Sequence, residues 1–171
     1  MKLKGKVIAV LVEQDYQEME VWYPTFRLRE EGATVKQVGT GSAPEYRGKY
    51  GYPCKVDTDA RFVQSHELDG IVIPGGWAPD KLRQSEPILK LVRELNSSGK
   101  PIACICHGGW VLASAKIVEG RNLTSYAAIK DDMINAGASW QDTDVVVDGN
   151  LVTSRTPADL PAFMREFIRL F

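Results

Sequence analysis

Histidine is nearly absent from this chain. Two residues in 171, His66 and His107, leave little with which to ligate a metal, and the three cysteines, Cys54, Cys104 and Cys106, have no second pair at zinc-site spacing. No metal is expected. An odd number of cysteines without a secretory leader also argues against a disulfide framework. Neither sign of charge is in excess: 21 basic and 22 acidic residues give a net charge of -1, with no basic stripe to neutralise phosphates, so nucleic acid is excluded as a partner class. Long apolar runs are missing too. The stretch Val7 to Val12 is too short for a leader core and far too short to span a bilayer, so the expected location is the cytoplasm, with no membrane partner. Gly76-Trp77 is not followed by Lys-Ser or Lys-Thr, so there is no phosphate-cradling loop, and no cofactor is expected. Internal repeats and low-complexity linkers are likewise lacking.

What remains is an ordinary globular composition. With 44% hydrophobic residues the chain can bury one sizeable core, so a single domain over 1–171 is expected. Strand and helix signals alternate. Lys6 to Val12 reads as a strand, Gln17 to Glu31 as a helix bent or restarted at Pro24, and Thr34 to Val38 as a second strand. Thr40 to Asp59, rich in Gly, Pro and Tyr, reads as an excursion beside the sheet with a short strand at Lys55 to Asp57. A strand at Ile71 and Val72 follows, then a helix from Glu86 to Ser98 whose Ile88, Leu89, Leu91, Val92 and Leu95 share a face, then a covered strand from Pro101 to Ile105. Beyond these come helices at Trp110 to Ala115 and near Lys130 to Ala136, with a short strand at Leu123 to Ser125 between them. Strands at Asp144 to Val147 and Leu151 to Thr153 are turned by Asp148-Gly149-Asn150. A last helix, with Thr156 as cap and Pro157 in first position, runs to Phe171.

Cys106 falls where a buried strand ends and a helix begins. In Cys104-Ile105-Cys106-His107-Gly108 the small residues two before and two after Cys106 permit the sharp turn of a nucleophile elbow. Such a turn exposes the thiol and frees the amide of His107 to bind an oxyanion. The imidazole of His107 is adjacent, and a thiolate is far more nucleophilic than a thiol. A second clue is Pro74-Gly75-Gly76-Trp77 after the strand at Ile71 and Val72, where the glycine pair lets backbone amides face a ligand and makes Gly76 a second candidate oxyanion donor. A third is the acid-rich stretch holding Glu13, Asp15, Glu18 and Glu20. Most of these read as capping residues, Asp15 with Glu18 having capping-box spacing, but one can approach the thiol because parallel strands bring their C-terminal ends to one edge. His66 and Cys54 read as loop or packing residues, and Cys104 as a small core residue.

Taken together, these residues resemble the DJ-1/PfpI superfamily and its PfpI branch. The resemblance is carried by Glu20 four residues before Pro24, by Pro74-Gly75-Gly76, by Ala103 to Gly108, by Thr124-Ser125-Tyr126, by Ile129 to Gly137, by Val145 to Asn150 and by Ser154 to Leu160. It implies an α/β fold, a flavodoxin-like three-layer sandwich with a mostly parallel sheet. It implies Cys106 as nucleophile, His107 as its partner, and Glu20 as the acid whose carboxyl hydrogen-bonds the cysteine. Asp80 stands where PfpI-like proteins have a glutamate that orients the histidine from a neighbouring subunit, so self-association as a dimer or hexamer is implied. Tyr126 matches a tyrosine at the pocket entrance. The chain departs from the family in having Trp77, Gly109 and Trp110 where arginine or histidine and Pro-Gln are frequent, and in having Gln17 where some relatives have an acid. Two indoles at 77 and 110 are expected either to wall the pocket or to pack at an interface.

The expected chemistry is attack by Cys106 on an aldehyde or acyl carbon, with the oxyanion held by the amides of Gly76, beside Gly75, and His107. Glu20 is expected to be at least partly protonated and to donate to the sulfur. The preferred reading is a cysteine-dependent enzyme acting on small reactive carbonyls or their protein or peptide adducts. An intracellular cysteine peptidase and a redox-sensing stress protein or holdase are the alternatives. A glutamine amidotransferase needs a later histidine, and none follows His107.

Overall fold

The computed structural model describes residues 1–171. In chain order, β1 (Val7–Leu11) leads to α1 (Glu18–Glu30), β2 (Thr34–Gly39), a hairpin of β3 (Glu45–Arg47) and β4 (Pro53–Lys55), and β5 (Thr58–Asp59). The middle of the chain comprises β6 (Gly70–Ile73), α2 (Ala78–Leu82), α3 (Glu86–Ser97), β7 (Ile102–Ile105) and α4 (Gly109–Ala115). It ends with β8 (Asn122–Leu123), α5 (Lys130–Asn135), β9 (Ser139–Trp140), β10 (Val145–Asp148), β11 (Leu151–Ser154) and α6 (Leu160–Arg169).

Seven strands form one sheet in the order β10-β11-β7-β6-β1-β2-β5, and every neighbouring pair is parallel except the β10–β11 hairpin. Central strands covered on both faces must be apolar throughout, which is why β6 and β7 are buried at every position. From β1 the chain steps one way along the sheet to β2, and from β6 it steps the other way to β7. Right-handed crossovers therefore put α1 and α3 on opposite faces. α1 packs on β1 and β2 and against α6, which lies over β10, β11 and β7, whereas α3 packs on β6 and β7 and against α4. The result is a three-layer flavodoxin-like sandwich whose connections diverge between β1 and β6, the crevice at which such sheets place their ligands.

Three local expectations are corrected. α1 runs without a break through Pro24, because the proline forfeits only its own missing N–H while Glu20, Val21, Pro24, Thr25 and Leu28 stay buried along one face. Its cap is not the Asp15/Glu18 box. Asp15 takes a left-handed backbone (φ 62°), and the chain stays extended through Tyr16, which bridges to Gly48 and Gly76. The helix is capped instead by Gln17, whose side-chain oxygen accepts from the amides of Met19 and Glu20 at 2.7 and 3.2 Å. The strand placed at Lys55 to Asp57 lies at Pro53–Lys55, because the excursion pairs with itself across Tyr46 and Cys54. The Thr156 cap is observed as a capping box with Asp159, opening a 3₁₀ turn that continues into α6.

Candidate active site

The C-terminal ends of β1, β6 and β7 deliver their loops to one cavity of about 400 Å³, lined by Gln17, Glu20, Lys49, Tyr50, Gly76, Trp77, Cys106, His107, Tyr126, Ala128 and Pro157. Cys106 follows β7 directly and has φ +61°, a conformation that costs a non-glycine residue about 1–3 kcal/mol and marks the elbow. The carbonyl of Cys106 is held by the amide of Tyr126 at 3.2 Å. Its Sγ lies 3.3 Å from Nδ1 of His107, and the amides of His107 and Gly76 are directed at the sulfur.

Among the four N-terminal acids it is Glu20 that reaches the thiol. One turn into α1 and fully buried, it accepts the Gly75 amide on Oε2 at 2.6 Å, while its other oxygen, Oε1, has no protein partner, and the carboxyl lies beside the Cys106 thiol. Gly75 must be glycine: a Cβ there would sit 2.6 Å from Cys106 Cβ and 2.6 Å from Glu20 Oε2. Its amide is therefore committed to the carboxyl, which corrects its place among the oxyanion donors. The amide of Gly76 (φ +73°) is the one that remains for the sulfur. Glu13 turns away to Thr40 and Ser42, and Glu18 accepts from the amide of Tyr50.

The expectation of an exposed, freely ionised thiol is corrected as well. Cys106 is only 8% exposed and forms the cavity floor. Burial, then the neighbouring Glu20 carboxylate, push the thiol from 9.0 up to about 12, against the pull of the His107 and Gly76 amides. Burial pushes Glu20 from 4.5 up to about 7, opposed by the Gly75 amide. The pair thus sheds one proton near neutrality and retains the second far into the alkaline range, because two adjacent buried negative charges are costly. In the singly charged pair that proton lies between carboxyl and sulfur, with the Gly75 amide favouring the charge on Glu20 and the His107 and Gly76 amides favouring it on Cys106. Burial, followed by the Lys49 charge, lowers His107 and keeps its imidazole neutral.

Three aromatic rings pack around His107: Tyr126 stacks at 4.9 Å between centroids, and Trp77 and Trp110 each approach to 5.2 Å. Trp77 does wall the cavity and is 54% exposed at its mouth. Trp110 does not line it. Its ring braces the imidazole from outside, with Nε1 bonded to Asp132 at 2.9 Å and Arg83 over its face. Asp80 is exposed in α2 and does not reach His107 within the chain; the only protein hydrogen bond of the imidazole is to Cys106. No group of three or more His, Cys, Asp or Glu side chains is arranged to hold a metal ion. Lys49, Tyr50 and Gln17 are cavity residues that motif reasoning missed. The first two lie in a hairpin with no local signal for a site, and Gln17 is visible only as a departure from an acid.

The chain is similar to known proteins over nearly its whole length. The DJ-1/PfpI family profile matches residues 6–170. The chain is similar to Deglycase PH1704 of Pyrococcus horikoshii, 47% identical over 163 residues, covering 95% of this chain and 98% of that protein. It is also similar to Deglycase PfpI of Pyrococcus furiosus, at 45% identity and the same coverage of both chains, 95% and 98%. Among solved structures it superposes with a TM-score of 0.94 and 38% identity on a two-domain protein of Anabaena variabilis containing DJ-1/ThiJ/PfpI-like and ferritin-like domains. That match covers 96% of this chain and 47% of the other, so the chain spans about half of that protein. With the elbow, the buried acid and the paired histidine in one cavity, and a profile match over nearly its whole length, the chain belongs to the DJ-1/PfpI family.

Proposed function

We propose that the protein is a cysteine-dependent enzyme of the deglycase type, acting on 2-oxoaldehydes and on the adducts they form with amines and thiols. The observation that carries this reading is the elbow that sets Cys106 in the cavity wall with its sulfur 3.3 Å from Nδ1 of His107 and with buried Glu20 lining the same cavity. The thiolate adds to the aldehyde carbon: a C–S bond forms as the C=O pair moves onto oxygen, and the amides of Gly76 and His107 hold the oxyanion until Glu20 protonates it. From an adduct, the same carbon passes to Cys106 as the amine or thiol leaves with a proton. Neutral His107 then carries the C1 proton to C2, and the hydroxyl proton moves to the neighbouring oxygen, which gives a hydroxyacyl thioester. One water cleaves the thioester, so dicarbonyl plus water yields the 2-hydroxy acid and the regenerated cysteine. The deglycase names of the two Pyrococcus relatives support the same reading. The test is methylglyoxal consumption with lactate formation. Cys106→Ser should abolish both while retaining the fold, and unchanged turnover in that variant would end the proposal.

Self-association completes the reading. Met19, Tyr23, Phe26 and Tyr52 present exposed apolar surface on α1 and the hairpin, and the imidazole of His107 lacks an orienting carboxylate from its own chain. Asp80 of a neighbouring subunit supplies that carboxylate. Light scattering should show an oligomer, and Asp80→Asn should shift the pH profile of turnover; a monomer with an unaltered profile in Asp80→Asn would refute it.

A further inference from the structure

Gln17 has a side-chain donor with no protein acceptor. It is 8% exposed and lines the cavity. Two backbone N–H groups, of Met19 and Glu20, point at its Oε1, and only an oxygen can accept them, so the amide orientation is determined and Nε2 is turned away from the helix. The hydrogen bonds of Gln17 are confined to Oε1; Nε2 donates to no protein atom. That N–H pair is free to donate to a group bound in the cavity.

Lys49 supplies the second half. Its backbone is pinned over the same cavity: its amide donates to the Tyr16 carbonyl at 2.9 Å, the next amide donates to Glu18 at 2.7 Å, and the Tyr16 hydroxyl donates to the Tyr52 carbonyl at 2.6 Å across the hairpin tip. Lys49 takes part in none of the ion pairs of the chain. Its ammonium lies 5.6 Å from the Tyr50 ring centroid, and its charge is felt by both Glu20 and His107, so it faces the reaction space. The only carboxyl in the cavity wall is Glu20, and that group is occupied by the Gly75 amide and the sulfur. The cavity therefore has two separate sets of donors: the amides of Gly76 and His107 at the sulfur, and Lys49 with Gln17 on the α1 and hairpin side. One substrate carbonyl oxygen uses only the first set.

We propose that Lys49 and the Gln17 amide form an anion subsite that selects, among reactive carbonyls and their adducts, those that also carry a carboxylate. This rests on the deglycase reading and names its substrate class as amino-acid-sized adducts with a free carboxylate, which a cavity of about 400 Å³ can admit. Because Lys49 is solvent-exposed, the preference is modest, about fivefold at low salt, and is screened by added salt.

The experiment uses two substrates with the same reacting carbon, the methylglyoxal hemithioacetals of N-acetylcysteine and of N-acetylcysteinamide. The wild type should show a kcat/KM ratio of about five in favour of the acid, falling towards one in about 0.5 M NaCl. Lys49→Gln should bring the ratio to about one, and Lys49→Arg should retain it. Gln17→Glu keeps the capping oxygen but replaces the free donor with negative charge, so it should invert the preference. A wild-type ratio of one, or a ratio unmoved by Lys49→Gln, overturns the subsite. A second measurement needs no turnover: N-acetylalanine should protect Cys106 from iodoacetamide better than N-acetylalaninamide does, and only while Lys49 is present. Equal protection overturns the subsite even if neither adduct is consumed, and loss of turnover with unequal protection overturns the deglycase reading instead.

Discussion

Replacing Glu20 with glutamine keeps the side-chain volume and still offers an oxygen to the Gly75 amide, but removes the proton that the carboxyl shares with Cys106. In the wild type the pair loses its first proton near pH 7, the value to which burial raises Glu20, and thiolate character appears from that point. In Glu20→Gln no such shared charge exists, and the thiol must ionise alone at a site only 8% exposed. The repulsion from the carboxylate is gone and the amides of Gly76 and His107 still assist, but burial, the largest influence, holds the thiol above its ordinary 9.0. The midpoint for alkylation should therefore move from about 7 to above 9, at least about two pH units. Iodoacetamide labelling followed by intact mass across about pH 5 to 10 reads this directly. An unchanged midpoint in Glu20→Gln would show that the carboxyl does not share its proton with the sulfur, and the reasoning would fail.

Two further predictions use the same geometry. Glu20 carries a folded-state pKa raised from 4.5 to about 7, so the native state binds more protons than the unfolded chain between those values and stability falls as pH rises through them. Relative to wild type, Glu20→Gln should gain up to about 3 kcal/mol between pH 5 and pH 8 in denaturant unfolding; a difference independent of pH would contradict the burial argument. Gly75→Ala places a Cβ 2.6 Å from both Cys106 Cβ and Glu20 Oε2, so it should cost about 1–3 kcal/mol of stability and at least tenfold in turnover, measured by thermal unfolding and methylglyoxal consumption. Wild-type behaviour of that variant would contradict the close approach.

Much of the fold was legible because its signals are short-range. The runs Val7–Leu11, Gly70–Ile73 and Ile102–Ile105 are apolar at nearly every position, as covered parallel strands must be, and the helical spacing of Ile88, Leu89, Leu91, Val92 and Leu95 matches their burial. The small residues around Cys106 foretold its turn, and the observed φ of +61° agrees. Errors fell where a distant segment intervened. Tyr16 bridges to Gly48 and Gly76, which holds the chain extended and hands the cap of α1 from Asp15 to Gln17. Trp110 was readable as an aromatic near the site, but its bond to Asp132 on α5 decides that it braces His107 rather than lining the cavity.

The amino-acid order by itself determined the alternation of strands and helices, the elbow at Cys106, and the presence of a glutamate on the first helix, because each depends on periodicity or turn chemistry within a few residues. Only the tertiary structure decided that the thiol lies on a cavity floor, that Gly75 serves Glu20 while Gly76 serves the sulfur, and that Lys49 on a hairpin overlooks both. Burial and electrostatic coupling depend on which loops meet at the sheet edge, and that meeting is set by strand order, which no local pattern records.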